Sequence, residues 1–252
     1  MNLPIASIFT DIPEAIVVFF HDTVGLGWGP AIVALTFTVR LLILPLSLKQ
    51  IRSMRALQAL SPQLKAIQER YKDDRQRQQQ EMMKFYQENE INPLASCFPL
   101  LLQLPVFFAL YAMLNGDSFK ADVEASGDPS FLFIDSVIQE PSGFAVTATL
   151  IALFVGTQLL AGLAMSVRGQ GLEGPQRFIV FGLPFAFAPF VATFPMGLSI
   201  YWISTNIWTF AQQQVVLTLM PPPEKPTEEE IEAAKPPPPP PRRKKKKSGR
   251  RR

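Results

Sequence analysis

The chain is poor in the residues on which most protein chemistry depends. It has one cysteine, Cys97, and one histidine, His21, among 252 residues. A lone cysteine closes no intramolecular disulfide and joins no metal cluster, which leaves it as a small apolar side chain. His21 has no second ligand near it in sequence. There is no glycine-rich phosphate loop, no nucleophile–base arrangement and no pair of catalytic carboxylates. These absences argue against an enzyme, and no cofactor or metal is expected. Charge is missing over long stretches as well. Ile91 to Gly116 and Pro141 to Val167 carry none, and Phe178 to Pro223 carries none over 46 residues. The beginning, Met1 to Asp22, lacks the basic region of a secretory signal, and its apolar part, Ala15 to Phe20, is short for one.

What the sequence has is apolar mass in blocks. It is 48% hydrophobic with a mean hydropathy of +0.15, an average that hides very apolar and very polar segments. The last uncharged run alone, at ~20 residues per bilayer crossing, holds two spans and a turn. A further apolar run from Trp28 to Leu48 is interrupted by a single charge, Arg40. Together these segments predict five transmembrane helices, since only helices or closed barrels satisfy their backbone in lipid. The fold class expected is an all-α polytopic membrane protein.

The basic residues orient it. Lys49 to Asn92 carries Lys49, Arg52, Arg55, Lys65, Arg70, Lys72, Arg75, Arg77 and Lys84. Asn115 to Glu140 carries Lys120 alone against six acids. Ser166 to Arg177 carries Arg168 and Arg177, and the tail after Met220 is strongly basic. The alternation places Lys49–Asn92, the Arg168 loop and the C-terminus in the cytoplasm, and the N-terminus and Asn115–Glu140 outside. The last two spans turn at Phe194-Pro-Met-Gly197, where Pro and Gly break the pattern.

Two further segments have helical spacing. Ile51, Met54, Leu57, Leu60, Leu64 and Ile67 recur at three–four intervals, Asp73-Asp74 marks a turn or helix start, and Met82, Met83, Phe85 and Tyr86 continue a weaker pattern. This predicts a cytoplasmic hairpin of two antiparallel helices. Near the N-terminus, Ile12, Ala15, Ile16, Phe19 and Phe20 predict a short amphipathic helix lying on the membrane surface. A polar leader without fixed structure is the plainer alternative. The domain boundaries expected are 1–26 for this helix, 27–50 for the first span, 51–92 for the hairpin, 93–219 for the remaining spans and 220–252 for a disordered tail.

Arg40 lies about eight residues, or ~12 Å, from the cytoplasmic end of its span. An Arg at the centre of a span costs about 2.5–3.5 kcal/mol on insertion scales. On a helix turning about 100° per residue, Thr36, Arg40 and Ser47 share one face. No Asp or Glu lies at depth in the other spans, which offer neutral groups instead: Gln103, Thr157, Gln158, Ser199, Ser204, Thr205 and Asn206. An unpaired Arg among amides and hydroxyls points to a hydrated cavity. The hydroxyls and amides also serve equally well as glue between helices. Phe107 shares a face with Gln103, and Tyr201, Thr205, Trp208 and Gln212 share a face of the last span.

Three stretches carry a resemblance. They are "TFTVRLLILPLSLKQ" (36–50), "YKDDRQRQQQEMMKFYQENEINPLASCFPLLLQLPVFFALYAML" (71–114), and "FPMGLSIYWISTN" (194–206) followed by "FAQQQ" (210–214). The sequence resembles the YidC/Oxa/Alb family of membrane protein insertases, over roughly Ile12 to Val216, in the short bacterial form without a large extracytoplasmic domain. The resemblance implies five spans, a cytoplasmic hairpin, and a hydrophilic groove open to cytoplasm and lipid. It aligns the groove arginine with Arg40, the threonine one turn earlier with Thr36 and the glutamine of the second span with Gln103. It aligns the aromatic slide, over which a substrate helix leaves, with Phe107, Tyr201 and Trp202, the last standing where the family commonly has tyrosine. Ser47, Gln158, Thr205 and Asn206 complete the expected substrate-binding set, with Phe154 a weaker candidate. The implied function is insertion and folding of nascent membrane proteins, alone or with the Sec translocon, in a bacterial plasma membrane.

The tail is a Pro-rich spacer ending in Arg242, Arg243, Lys244, Lys245, Lys246, Lys247, Arg250, Arg251 and Arg252. This cluster suits either the phosphates of ribosomal RNA or anionic membrane lipids; the resemblance favours the ribosome. Two other function classes fit the same spans. A channel or transporter would use the polar stripe as a pore with water access from both sides. A structural partner of a larger translocon would have no activity alone.

Overall fold

The computed structural model describes residues 4–89, 98–167 and 175–219, and every extended element among them is helical. The tail cluster from Arg242 to Arg252, Cys97 and the Arg168 loop lie outside the described residues. The chain divides into two units, Met1–Gln58 with Ile91–Pro223, and Ala59–Glu90 with Glu224–Arg252.

In the first unit α1 runs Pro4–Val18 and continues into a wider turn at Phe19–Thr23. Helix α2, Trp28–Leu42, buries Trp28, Ala31, Ile32, Leu35 and Thr36, the three–four spacing of one helix face. It breaks at Ile43. Pro45 lacks an N–H and its ring crowds the Leu41 carbonyl, so the ladder cannot continue straight. Helix α3, Leu44–Ala59, resumes, and the axes of Trp28–Leu42 and Leu44–Ser53 differ by 57°. The expectation of a first span over 27–50 followed by a hairpin from 51 meets a different division of helices: α3 runs through that boundary.

Helix α6 (Phe98–Asn115), α7 (Asp117–Ala125), α8 (Phe144–Val167), α9 (Pro175–Val191) and α10 (Met196–Leu219) complete this unit. The turn between α9 and α10 lies over Ala192–Pro195, close to the predicted one. Among the described residues Phe144–Ala164 is long and apolar enough to cross a bilayer by itself, and the bent α2–α3 pair qualifies if taken as one. The apolar stretches Leu102–Asn115 and Val180–Val191 are shorter. Helix α10 is 24 residues long, but its hydroxyl and amide side chains dilute it.

Helices α8 and α10 pack along each other, as do α10 and α2, and α8 and α9. Their shared core holds Trp28, Ile32, Leu35, Leu110, Met113, Leu114, Leu150, Phe154, Met196 and Leu198. The segment between α6 and α8, read from sequence only as a polar outer loop, is folded onto one end of this core. Phe119, Val123, Ile134 and Val137 are buried there. Two close approaches fix it. A Cβ at Gly29 would stand 2.2 Å from Cγ of Phe131, and one at Gly197 would stand 2.8 Å from the Val137 carbonyl oxygen. Only glycine fits either contact. The first N–H groups of α10 have no partner within the helix; Met196 N donates to Gln139 O at 2.8 Å and Gly197 N to Val137 O at 2.7 Å. Trp28 Nε1 donates to Ser126 Oγ at 2.8 Å, and its ring stacks on His21 with centroids 3.8 Å apart.

Helix α1 packs on α2 and α6. Among its described side chains Val17 is buried, while Ile12, and Phe19 in the wider turn that follows, both of the predicted apolar stripe, are more than half exposed. The helix thus has a core-facing side and a separate apolar side left open.

In the second unit α4 (Ser61–Arg70) and α5 (Arg75–Glu88) pack against each other across a turn at Tyr71–Asp74. Pro62 starts α4, and Asp74 caps α5 by accepting from Arg77 N at 3.1 Å. Leu64 and Ile67 are buried, and Gln78 Nε2 donates to the Gln68 carbonyl at 2.7 Å.

Candidate functional site

The site begins with the polar face of α2. Thr36 and Arg40 stand one turn apart on it. Past the break at Ile43, Ser47 and Gln50 of α3 continue the same row at three–four spacing. Facing them are Gln103 of α6 and Tyr201 of α10. These six residues line a cavity of about 30 Å³, with Val39, Ile43, Leu102 and Val106 as its apolar walls. A water needs roughly 10–15 Å³ by this measure, so the cavity admits one or two.

Arg40 Nη2 donates to Gln103 Oε1 at 3.4 Å, a long contact, and Gln103 Nε2 donates to the hydroxyl of Tyr201. The guanidinium has five N–H donors. Among the described residues it has no acidic partner. Thr36 and Ser47 donate their hydroxyl hydrogens to their own backbone, to Ile32 O at 2.8 Å and Ile43 O at 3.1 Å. Gln50 Nε2 is buried with no hydrogen-bond partner. A buried donor left unpaired costs about 1–3 kcal/mol. The cavity therefore holds one uncompensated positive charge and an unused amide N–H.

Tyr201 and Trp202 are neighbours in sequence and point about 100° apart around the helix. Tyr201 faces the polar cavity. Trp202 faces an aromatic cluster, with its ring centroid 4.9 Å from Phe154, 5.5 Å from Phe107 and 6.1 Å from Phe187. One indole thus joins α6, α8 and α9 to α10. The cluster extends through Phe194 to Phe190 and Tyr111. Phe190 is half exposed and Phe187 more than a third, so the cluster reaches the outer surface of the helices.

The remaining sequence candidates sit elsewhere. Asn206 Nδ2 donates to Thr157 Oγ1 at 3.0 Å, tying α10 to α8. Thr205 is buried on α10 one turn beyond Tyr201 and lies outside the cavity. Gln158 is half-buried on α8 and lies outside it too. Trp208 bonds Gln212 within α10, Nε1 to Oε1 at 2.9 Å, and packs on Phe37. Sequence reasoning missed Gln50, the last residue of the predicted first span, 27–50; continuing the row Thr36, Arg40, Ser47 by three residues reaches it. Phe187 carries no sequence signal apart from apolarity, and Phe194 is marked only as part of the turn and of the matching stretch 194–206. Among the described residues no group of His, Cys, Asp and Glu is arranged to hold a metal.

Residues 19–223 match the family model described as "60Kd inner membrane protein". A membrane protein insertase YidC of Streptomyces avermitilis is 38% identical over 224 residues, 78% of this chain and 52% of that protein. One from Nitrosomonas europaea is 41% identical over 197 residues, covering 77% of this chain and 30% of its own. The solved structure of an active YidC insertase with its first transmembrane domain resolved superposes with a TM-score of 0.63 at 24% identity, over 83% of this chain and 46% of that one. The chain spans about half the length, or less, of these relatives. The match to the family model extends over both the cavity and the aromatic cluster: the chain belongs to the 60 kDa inner membrane protein family, in which its relatives are YidC insertases.

Proposed function

We propose that the chain inserts membrane proteins into a lipid bilayer and assists their folding. The observation that carries this reading is the unneutralised guanidinium of Arg40 in a small polar cavity, separated by one helix position from an aromatic cluster that reaches the outer surface. A polar, acid-bearing tail of an entering chain is drawn to Arg40 while its apolar segment passes over Phe107, Phe154 and Trp202 toward lipid. At 4 Å and an effective dielectric of 20, one carboxylate gains about 4 kcal/mol from the arginine. Desolvation of the carboxylate as it leaves water opposes that attraction. The tail is thus captured without being trapped. Burial of the apolar segment in lipid, at roughly 25 cal/mol per Å², then supplies the drive. No covalent step and no nucleotide are required, so the chain is not an enzyme in this reading.

The topology belongs to the same proposal. Five spans are formed by the bent α2–α3 pair, α6, α8, α9 and α10. The α4–α5 pair, the C-terminus and the Arg168 loop are cytoplasmic, and the packed cap between α6 and α8 is outside. The basic charge of 49–92, set against the acidic 115–140, supports this orientation. Helix α1 lies at the outer interface with Ile12 and Phe19 in lipid. Nascent membrane proteins and lipids are the partners, the Sec translocon acts beside the chain for some substrates, and Arg242 to Arg252 contact the ribosome.

The test is a depletion strain rescued by the chain or its Arg40→Ala variant, with insertion scored for substrates whose translocated tails carry acids. Rescue is expected to fall severalfold or more with Arg40→Ala. Full activity of the variant sinks the charge-attraction mechanism.

A further inference from the structure

We infer that Gln50 is a second carboxylate-binding residue of the cavity, so that an acidic side chain of the entering chain is held between the Arg40 guanidinium and the Gln50 amide. This rests on the insertase reading above and names the chemistry its polar cavity selects.

Three observations carry it. First, Gln50 lines the same cavity as Arg40, although the two lie on different helices. The 57° bend after Leu42 lets α3 present Gln50 beside the row that α2 begins. Second, the polar hydrogens of the cavity are unevenly used. Thr36 and Ser47 donate to their own backbone, and Gln103 donates to Tyr201. Gln50 Nε2 is buried with no partner, and Arg40 makes one long contact. The groups with donors to spare are therefore a cation and an amide, which together match an anionic acceptor. A carboxylate has two oxygens and accepts from two directions. Third, the cavity is narrow, about 30 Å³, and partly open, with Arg40, Ser47 and Gln50 on its wall only half-buried. An acidic side chain enters it by widening the mouth, and α3 is the wall placed to move. Among the described residues α3 has no long packing seam with another helix, and it joins α2 through the break at Ile43. An unpaired Gln50 donor in this narrow form favours the widening that brings it an acceptor.

The experiment reconstitutes the full chain in liposomes with two single-span substrates. Their translocated tails differ only in that two Asp residues in one are Asn in the other. The readout is the ratio of acid-tailed to neutral-tailed insertion. In Gln50→Leu, which keeps the volume and removes the amide, this ratio is expected to fall on the order of tenfold, the loss of one hydrogen bond to a charged group. In Gln50→Glu the introduced carboxylate takes up the free donors of Arg40, and the ratio falls further. An unchanged ratio in Gln50→Leu, or a raised one in Gln50→Glu, overturns the inference. Arg40→Ala separates the two levels. If it lowers the ratio while both Gln50 variants leave it unchanged, only the role of Gln50 is lost. If it too leaves the ratio unchanged, the acid-capture reading of the cavity fails with it.

Discussion

Two adjacent residues of α10 do opposite work. Tyr201 closes a chain of polar contacts from Arg40 through Gln103, and Trp202 joins three helices through aromatic contacts. Their division follows from helix geometry, since consecutive side chains diverge by about 100° and cannot face one cavity. The resemblance grouped them as one slide, and the geometry separates them. For Trp202 the consequence is energetic as well as functional. Removing an indole that touches Phe107, Phe154 and Phe187 leaves a void among four helices. Trp202→Ala is expected to cost stability near the low end of the about 3–5 kcal/mol range for large aromatic truncations, because the residue is half-buried. Trp202→Tyr keeps a ring in the cluster and is expected to lose less than half as much. Thermal unfolding of the detergent-solubilised protein measures both. Equal losses in the two variants would show that the ring contacts are not what Trp202 contributes.

At the scale of elements, the break between α2 and α3 was hidden in an apolar run. The residues Arg40-Leu-Leu-Ile-Leu-Pro-Leu-Ser read from sequence as the middle of one span. Pro45 is the local cause of the break, but the direction and size of the bend are not written in the sequence, because packing around the kink decides them. The same holds for the cap between α6 and α8. Its acids and Lys120 marked it as an outer loop, while Phe119 and Val123, four apart, were the trace of a packed helix that charge counting passes over. By contrast the start of α5 at Asp74 and the turn before Met196 were plain, since capping and Pro/Gly punctuation are local and need no knowledge of neighbours. The bend can be tested directly. Pro45→Ala restores an N–H that can reach Leu41 O, so the 57° angle is expected to relax toward a straight helix. Spin labels at Phe37 and Arg52 would move apart, and Ser47 and Gln50 would swing away from the cavity. An unchanged distance distribution would mean that the packing around α3, rather than Pro45, holds the bend.

At the scale of the whole first unit, the polar cavity and the packed cap are arranged along α2 in sequence order: Trp28 and Gly29 meet the cap, Ile32 and Leu35 fill the core, and Thr36 and Arg40 reach the cavity. Between the two lie fully buried side chains, including Ile32, Leu114 and Met196. This ordering separates a one-sided groove from a pore. A pore needs a continuous wet path past Ile32, where the core is closed and the Met196 and Gly197 N–H groups are already bound to cap carbonyls. Single cysteines at Ser47, Thr36 and Ile32, in a chain with Cys97→Ser, are expected to react with a water-soluble, membrane-impermeant thiol reagent in descending order when it is supplied on the cytoplasmic side. None is expected to react when it is supplied outside. Labelling of the Ile32 position from both sides would make the polar row a channel lining. It would also strip Arg40 of its role as a terminus for entering tails, because a charge in a through-pore attracts ions as readily as it attracts a protein's carboxylates.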